Sequence, residues 1–359
     1  LTAFAEIVER RGAIPLCWAG SGMRADYVNV GDALSPVMVA LVSGRPIERV
    51  PFRSREPRMA AVGTIGHGVV GGEAWVWGSG SSNLARPSTG DRTPYAPPPG
   101  TRLHLAATRG PVSRGLLGGR DGPDLDGVFG DPVWLLPRFY DPKIERTAEL
   151  GVIVHLSELE SRALDTGTRE ELIRYHVPPS LRGAVRIINT ISAPTTAGIK
   201  AKLDEILACK RIVSTSLHGL VFAESYGIPC LHFQQSAHEI GPAVYPMRKG
   251  ANIDLRILDL YMGLKVEKLP VYMQPLSLPT DWDKLIRVVD KRWTPRTFDG
   301  DALIAAFPMA TAPVSAPEGG TVFDLPLVRD MQLRHSFDLR HWLRRSAPAR
   351  RLARLMRTR

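Results

Sequence analysis

Apolar residues along this chain gather into short unbroken runs separated by longer stretches of helical spacing. AIPLCW (13–18), AAVGTIG (60–66), EAWVWGSG (73–80) and LHLAATRG (103–110) read as strands in the first half, and GVIVHL (151–156), RIINTI (186–191), RIVSTS (211–216) and PCLHF (229–233) in the second. Runs of four to six apolar residues without polar alternation are the pattern of strands buried on both faces, as in a parallel sheet. Helices are predicted between them: Ala33 to Val42, with Asp32 as a cap for its first turn, the stretch opened by Arg109-Gly110-Pro111, Ile199 to Cys209, and Leu220 to Tyr226.

Strand and helix alternate at βαβ spacing, so the predicted class is α/β, with two Rossmann-like domains facing across a cleft. The division is residues 1–145 for a first domain, 146–300 for a second, and 301–359 for a linker and basic amphipathic tail, the length sufficing for two ordinary domains. Ala85 to Gly100, rich in proline, glycine and charge, reads as a surface loop, and Thr311 to Gly320 as linker. Gly66, Gly68 and Gly71 fit the G-x-G-x-x-G spacing, but EAWVW follows as a strand where a dinucleotide site needs a helix, so no nucleotide cofactor is expected.

Charge changes this picture at one end. Of the formal net charge of +10, the segment Arg334 to Arg359 supplies +8, with nine arginines against Asp338. Phe337, Leu339, Trp342, Leu343, Leu352, Leu355 and Met356 interrupt the arginines at spacings one helical side could gather, a composition suited to an anionic lipid surface. A terminal helix packed on its own domain is the alternative. Nucleic acid is not an expected partner, because no basic stripe with interleaved aromatics occurs elsewhere. Cys17, Cys209 and Cys230 have no paired spacing, so neither a disulfide framework nor a structural zinc is expected, and His232, His238 and Glu239 do not meet metal-ligand spacing. No apolar run is long enough to span a bilayer and the first residues are not a basic leader with a long apolar core. The expected location is cytoplasmic, peripheral at the inner membrane.

The chemistry concentrates in RIVSTSLHGLVFAESYGIPCLHF (211–233), which sets His218 between an apolar strand and a helix, where an open α/β sheet presents backbone donors to an anion. An anion there would raise the imidazole pKa and keep it available as an acid; a histidine satisfied by nearby carbonyls is the other reading. His155 ends the first strand of the same half and faces the same crevice in this scheme.

The segment resembles polysaccharide pyruvyl transferases, in which S-L-H-G (here Ser216-Leu217-His218-Gly219) precedes an A-x-x-Y-G-I-P run, here Ala223 to Pro229. Asn29-Val30-Gly31-Asp32 is similar to the family's N-F-G-D motif, Arg109-Gly110-Pro111 to its R-G-P element, residues 130–137 to GDP-x-x-L-L-P, and Gly151 to His155 to its G-I/V-x-x-H strand. The resemblance implies a GT-B-like fold, phosphoenolpyruvate as donor, a sugar in a lipid-linked oligosaccharide or cell-surface glycan precursor as acceptor, and a cyclic pyruvate ketal plus phosphate as products, with no cofactor. It implies catalytic roles for His218 and His155, with Ser216, Leu217 and Gly219 beside the donor. Ser216 stands where some members have an arginine, so the donor's charges fall first to Arg109 and next to Arg186. Asn29, Gly31 and Asp32 are expected on the acceptor side, or as a turn and cap, and Glu224 as an orienting group or an exposed helix residue. A nucleotide-sugar glycosyltransferase and a non-catalytic, membrane-associated phosphosugar-binding protein remain the competing functions.

Overall fold

A computed structural model describes residues 2–20, 26–119 and 126–334. The first half of the chain forms α1 (Ala3–Arg11), β1 (Ile14–Cys17), β2 (Val28–Asn29), α2 (Val30–Ser43), β3 (Ile47–Arg49), β4 (Arg58–Ala60), β5 (Gly72–Ser79), β6 (Thr101–Thr108) and α3 (Pro111–Gly118). Five of these strands pair in parallel in the order β3-β1-β4-β5-β6. AAVGTIG is strand only at its start, because β4 ends at Ala60. The remainder forms β7 (Leu150–Val154), β8 (Val185–Asn189), β9 (Ile191–Ser192), α4 (Thr196–Leu207), β10 (Ile212–Ser214), α5 (Leu217–Ser225), β11 (Cys230–Ser236), β12 (Gly241–Pro246), α6 (Leu255–Gly263), β13 (Lys268–Pro275), α7 (Trp282–Arg292), α8 (Gly300–Ala305) and α9 (Pro326–Arg329). Its sheet runs β12-β13-β11-β10-β7-β8, parallel except for β12 at one edge. The protein is thus α/β, with two sheet-bearing lobes facing a cleft.

Two features tie the lobes. The short β2 of the first lobe pairs antiparallel with β9 of the second, Val28 against Ser192 and Asn29 against Ile191. A single apolar core also runs from Phe4 and Val37 in the first lobe to Leu220 and Ile257 in the second. α2 explains that continuity: all of its residues except Asp32 are buried, as expected for a helix apolar on every side. It packs on α4, α9 and the 3-10 turn Pro132–Arg138, and that same turn packs on α5.

The segment expected to be a free linker is instead part of the body. Leu303, Phe307, Val322, Phe323 and Val328 join the core, and the backbone N–H groups of Ala312 and Val314 donate to Val42 and Leu41 at the end of α2. Its small residues and prolines suit a strap laid over a helix end, a pattern that composition alone does not separate from a linker. Arg334 pairs with Asp26. The amphipathic tail beyond it lies outside the described residues.

Candidate active site

Three element starts converge between the lobes. α2 begins after Asn29, whose side-chain oxygen accepts from the N–H groups of Gly31 (3.1 Å) and Asp32 (3.4 Å); Asn29, and not Asp32, is the cap. Asn29 also donates to Thr190 Oγ1 across the lobes at 3.0 Å. The turn from Pro132 begins at Asp131, whose Oδ1 accepts from Val133 N at 3.0 Å. α5 begins at Leu217, three residues before the expected Leu220, so His218 lies inside its first turn. Because the turn at 132–138 packs on both helices, Asp32, Asp131 and His218 are drawn together.

His218 is 7% exposed, and its Nε2 has no hydrogen-bond partner. It stands 3.8 Å from Asp131 Oδ2, which is also buried and unpartnered. Burial, then the positive charges of Arg109 and Arg256, push the imidazole down to about 3, opposite to the expected rise. The expected rise was that caused by an anion; burial and the two cations act in the other direction. Asp131 goes up to about 6 through burial, opposed by Arg109 and the Val133 N–H. Asp32 retains some exposure, but its crowded carboxyl and the neighbouring Asp131 charge raise it to about 7. Near neutral pH the site therefore combines a neutral imidazole with two carboxyls raised toward neutrality, Asp32 more than Asp131.

Two arginines flank this group. Arg109 follows β6 and is fully buried: Nη1 donates to Thr64 Oγ1 at 2.8 Å, Nε lies 3.4 Å from Asp259 Oδ2 on α6, and Nη2 has no partner. Asp259 also accepts from Ser113 N (3.0 Å) and Ser113 Oγ (2.5 Å), making a buried ionic joint between α3 and α6. Arg109 thus acts on the site through its charge and is not an open clamp. Arg256, in the first turn of α6, is the more accessible cation. Its Nη1 is 3.0 Å from His155 Nε2, while Nε and Nη2 reach the Asp254 carboxylate at 3.0 and 2.8 Å.

His155 stands just past the end of β7, its Nδ1 2.7 Å from Ser157 Oγ. The Ser157 N–H also donates to Nδ1 at 3.2 Å, and Arg256, which can only donate, faces Nε2, so both ring nitrogens meet donors. Burial and then Arg256 lower its pKa. The histidine backbone N–H donates to Thr215 Oγ1 at 2.9 Å, and that hydroxyl bonds Glu158 Oε2 at 2.5 Å, which fixes the strand end beside α5.

The other sequence candidates divide. Gly31 and Gly219 are close-packing positions: a Cβ at 31 would sit 2.0 Å from His218 Nδ1, and one at 219 would meet Ser214 Oγ at 2.2 Å. Ser216 is buried, its N–H donating to Ser214 Oγ at 2.9 Å, and Leu217 is core. Glu224 is a buried anchor and neither exposed nor at the cleft: it accepts from Tyr261 OH (3.0 Å) and Trp293 Nε1 (3.1 Å), with Arg296 at 3.8 Å, and burial raises its carboxyl. Arg186 lies on β8 opposite Gly151, the strand end away from His155, and donates to Thr147 at 2.9 Å. His232 bonds Ser214 O and Gln234. Sequence reasoning missed Asp131, Asp259 and Arg256. Asp131 was within reach, as an aspartate before proline inside a motif already singled out; nothing local marks the other two.

Residues 103–236 match the family model described as polysaccharide pyruvyl transferase. That segment carries Arg109, Asp131, His155 and His218, and leaves Asp32, Arg256 and Asp259 outside. No curated protein and no solved structure matches the chain.

Proposed function

We propose that this chain, whose residues 103–236 match the polysaccharide pyruvyl transferase family model, moves the pyruvyl group of phosphoenolpyruvate onto two hydroxyls of one glycan sugar, closing a cyclic ketal and releasing phosphate. On this reading the lobes form a GT-B-like pair with the donor between them. The acceptor is the glycan of a lipid-linked precursor, and the basic tail favours a site of action at an anionic membrane face; among the described residues no helix is long and apolar enough to cross a membrane.

One observation carries the reading: the unpartnered His218 Nε2 faces the unpartnered Asp131 Oδ2 at 3.8 Å, with Arg109 and Arg256 bearing on the same point. A donor with a carboxylate and a phosphate brings the negative charge this region lacks, and Arg256 is the accessible group to receive it. Its arrival offsets the two arginines and lifts the His218 pKa, so Nε2 takes up a proton from solvent and the ionised Asp131 carboxylate facing it stabilises the imidazolium. His218 then protonates C3 of phosphoenolpyruvate, turning the methylene into a methyl group and leaving C2 cationic. The first sugar hydroxyl bonds to C2 and returns its proton to the site. The C2–phosphate oxygen bond breaks, the second hydroxyl bonds to C2, and its proton leaves with phosphate. Burial of the cluster strengthens each charge effect.

The test is incubation of the protein and His218→Ala with phosphoenolpyruvate and a panel of lipid-linked oligosaccharides, following phosphate and acceptor mass together. Equimolar phosphate and pyruvyl gain in the native protein alone supports the reading. Sugar transfer from a nucleotide donor, with no pyruvyl gain on any acceptor, would replace it with the glycosyltransferase alternative.

A further inference from the structure

α6 presents two neighbouring stripes. Arg256 and Asp259, three apart, face the reaction cluster, while Leu255, Leu258 and Met262 line a separate pocket of about 500 Å³. The opposite wall is α3, through Val112, Gly115 and Leu116, immediately after Arg109. The two helices meet where Gly110 lies against the Asp259 carbonyl, so closely that a Cβ would be 1.8 Å from that oxygen. The pocket therefore begins roughly one helix diameter, about 10 Å, from the reacting groups.

Its lining is mainly apolar, with Val112, Leu116, Leu255 and Met262 half-buried and open to an occupant. Arg248 and Lys249 stand exposed at its edge. Tyr95, on the wall and nine-tenths buried, has a hydroxyl without a hydrogen-bond partner. An apolar interior of this size with two cations and an unused hydroxyl fits an amphiphile with an anionic head.

We propose that this pocket binds the lipid phosphate of the acceptor, an isoprenyl-type chain on the apolar walls with its phosphate at Arg248 and Lys249, so that the attached sugar reaches the His218 cluster. This rests on the pyruvyl transfer reading only for what the sugar does there; the pocket itself is read from its walls and charges.

The experiment is calorimetric titration of the full chain with farnesyl phosphate, farnesol and inorganic phosphate. Farnesyl phosphate is expected to bind at least tenfold tighter than either fragment. Leu116→Gln combined with Met262→Gln is expected to weaken it at least tenfold with melting preserved, and Leu116→Trp, which fills the pocket with apolar volume, to do the same should the polar pair unfold the protein. Arg248→Ala with Lys249→Ala is expected to bring farnesyl phosphate down to the farnesol level. Farnesyl phosphate binding no better than phosphate, or wall variants that bind as the native protein does, overturns the proposal. So does binding to phosphatidylglycerol vesicles that the Arg248/Lys249 change weakens and the wall changes do not, since that makes the patch a membrane face. Native transfer onto a lipid-free glycan separates the two readings: transfer without farnesyl phosphate binding removes only the pocket, and binding without transfer to any acceptor removes only the chemistry.

Discussion

Gly31 lies flat against the imidazole of His218, with no room for a single added carbon: a Cβ at position 31 would come within 2.0 Å of Nδ1 and 2.2 Å of Cγ. A glycine in the first turn of a helix is otherwise a mild cost, so its role here is to let α2 and α5 start against each other. Gly31→Ala is expected to turn the ring away from Asp131 and to lower kcat for phosphoenolpyruvate-dependent phosphate release about a hundredfold, the scale of a displacement near 1 Å in a positioned group. Gly167→Ala, which meets nothing within 4 Å, is the control and should keep native activity. Equal activity in both variants would show that the His218 position is immaterial.

Asp131 and His218 titrate against each other in the stability of the fold. Between its ordinary 3.8 and about 6, Asp131 holds a proton in the folded chain that the unfolded chain has lost, so its contribution falls as pH rises through that window. His218, held near 3 in the fold, is neutral where the unfolded imidazole is protonated, so its contribution falls as pH drops below 6.5. Asp131→Asn keeps a cap for Val133 and is expected to stabilise the protein above pH 6 by about 3 kcal/mol, roughly two pH units at 1.4 kcal/mol each, with no gain at pH 4. His218→Asn should show its gain at the acid end. Urea melts from pH 4 to 8 read both, and a loss of stability in Asp131→Asn at every pH would contradict the buried, partly protonated carboxyl.

The eight strands read from apolar runs and the strand–helix junction at His218 were legible because both depend on local pattern, whereas β3, β12 and β13 were not among those runs. A run such as GVIVHL has only one way to be buried on two faces, and its histidine must then come at the strand end. Other features depend on which elements meet. Asp32 reads as a cap until the structure shows that Asn29 caps the helix and leaves the Asp32 carboxyl to feel the charge of Asp131. Arg109 was placed correctly at a strand–helix junction, yet its burial follows from Gly80, against which Nη2 lies where a Cβ would be 2.1 Å away, and from Asp259 of the other lobe. Arg256 is 38 residues beyond His218, and only the packing of α6 brings it to His155. The strap over α2 was hidden for the same reason, since its small residues are defined by the helix end they cover.

Arg256 is expected to carry both donor affinity and the state of His155. Arg256→Met removes the charge and keeps much of the apolar stem, and should raise KM for phosphoenolpyruvate at least tenfold, in line with the loss of one charge-assisted contact. It also removes a cation that lowers the His155 pKa, so that the His155 ring protons should titrate at higher pH in an NMR titration, nearer the ordinary histidine value. A merely structural arginine would shift melting without moving KM and the His155 titration together.

Glu224 makes the opposite case, a signature-segment acid whose partners identify it as a support. One carboxylate oxygen accepts from Tyr261 OH and the other from Trp293 Nε1, so α5 is held to α6 and to the segment after α7. In Glu224→Gln the amide oxygen must serve Trp293 Nε1, which can only donate, so the NH₂ donates to the Tyr261 hydroxyl oxygen and the buried Tyr261 proton loses its acceptor. The expected cost is about 1–3 kcal/mol, the range for an unsatisfied buried polar group. Because neither partner belongs to the His218 cluster, kcat at a temperature well below the melt should stay within about threefold, the drift allowed for a distant, uncoupled change of a few tenths of a kcal/mol. A melt lowered by several degrees with kcat retained is the expected pair of results; a large loss of kcat with unchanged melting would return Glu224 to the acceptor side of the reaction.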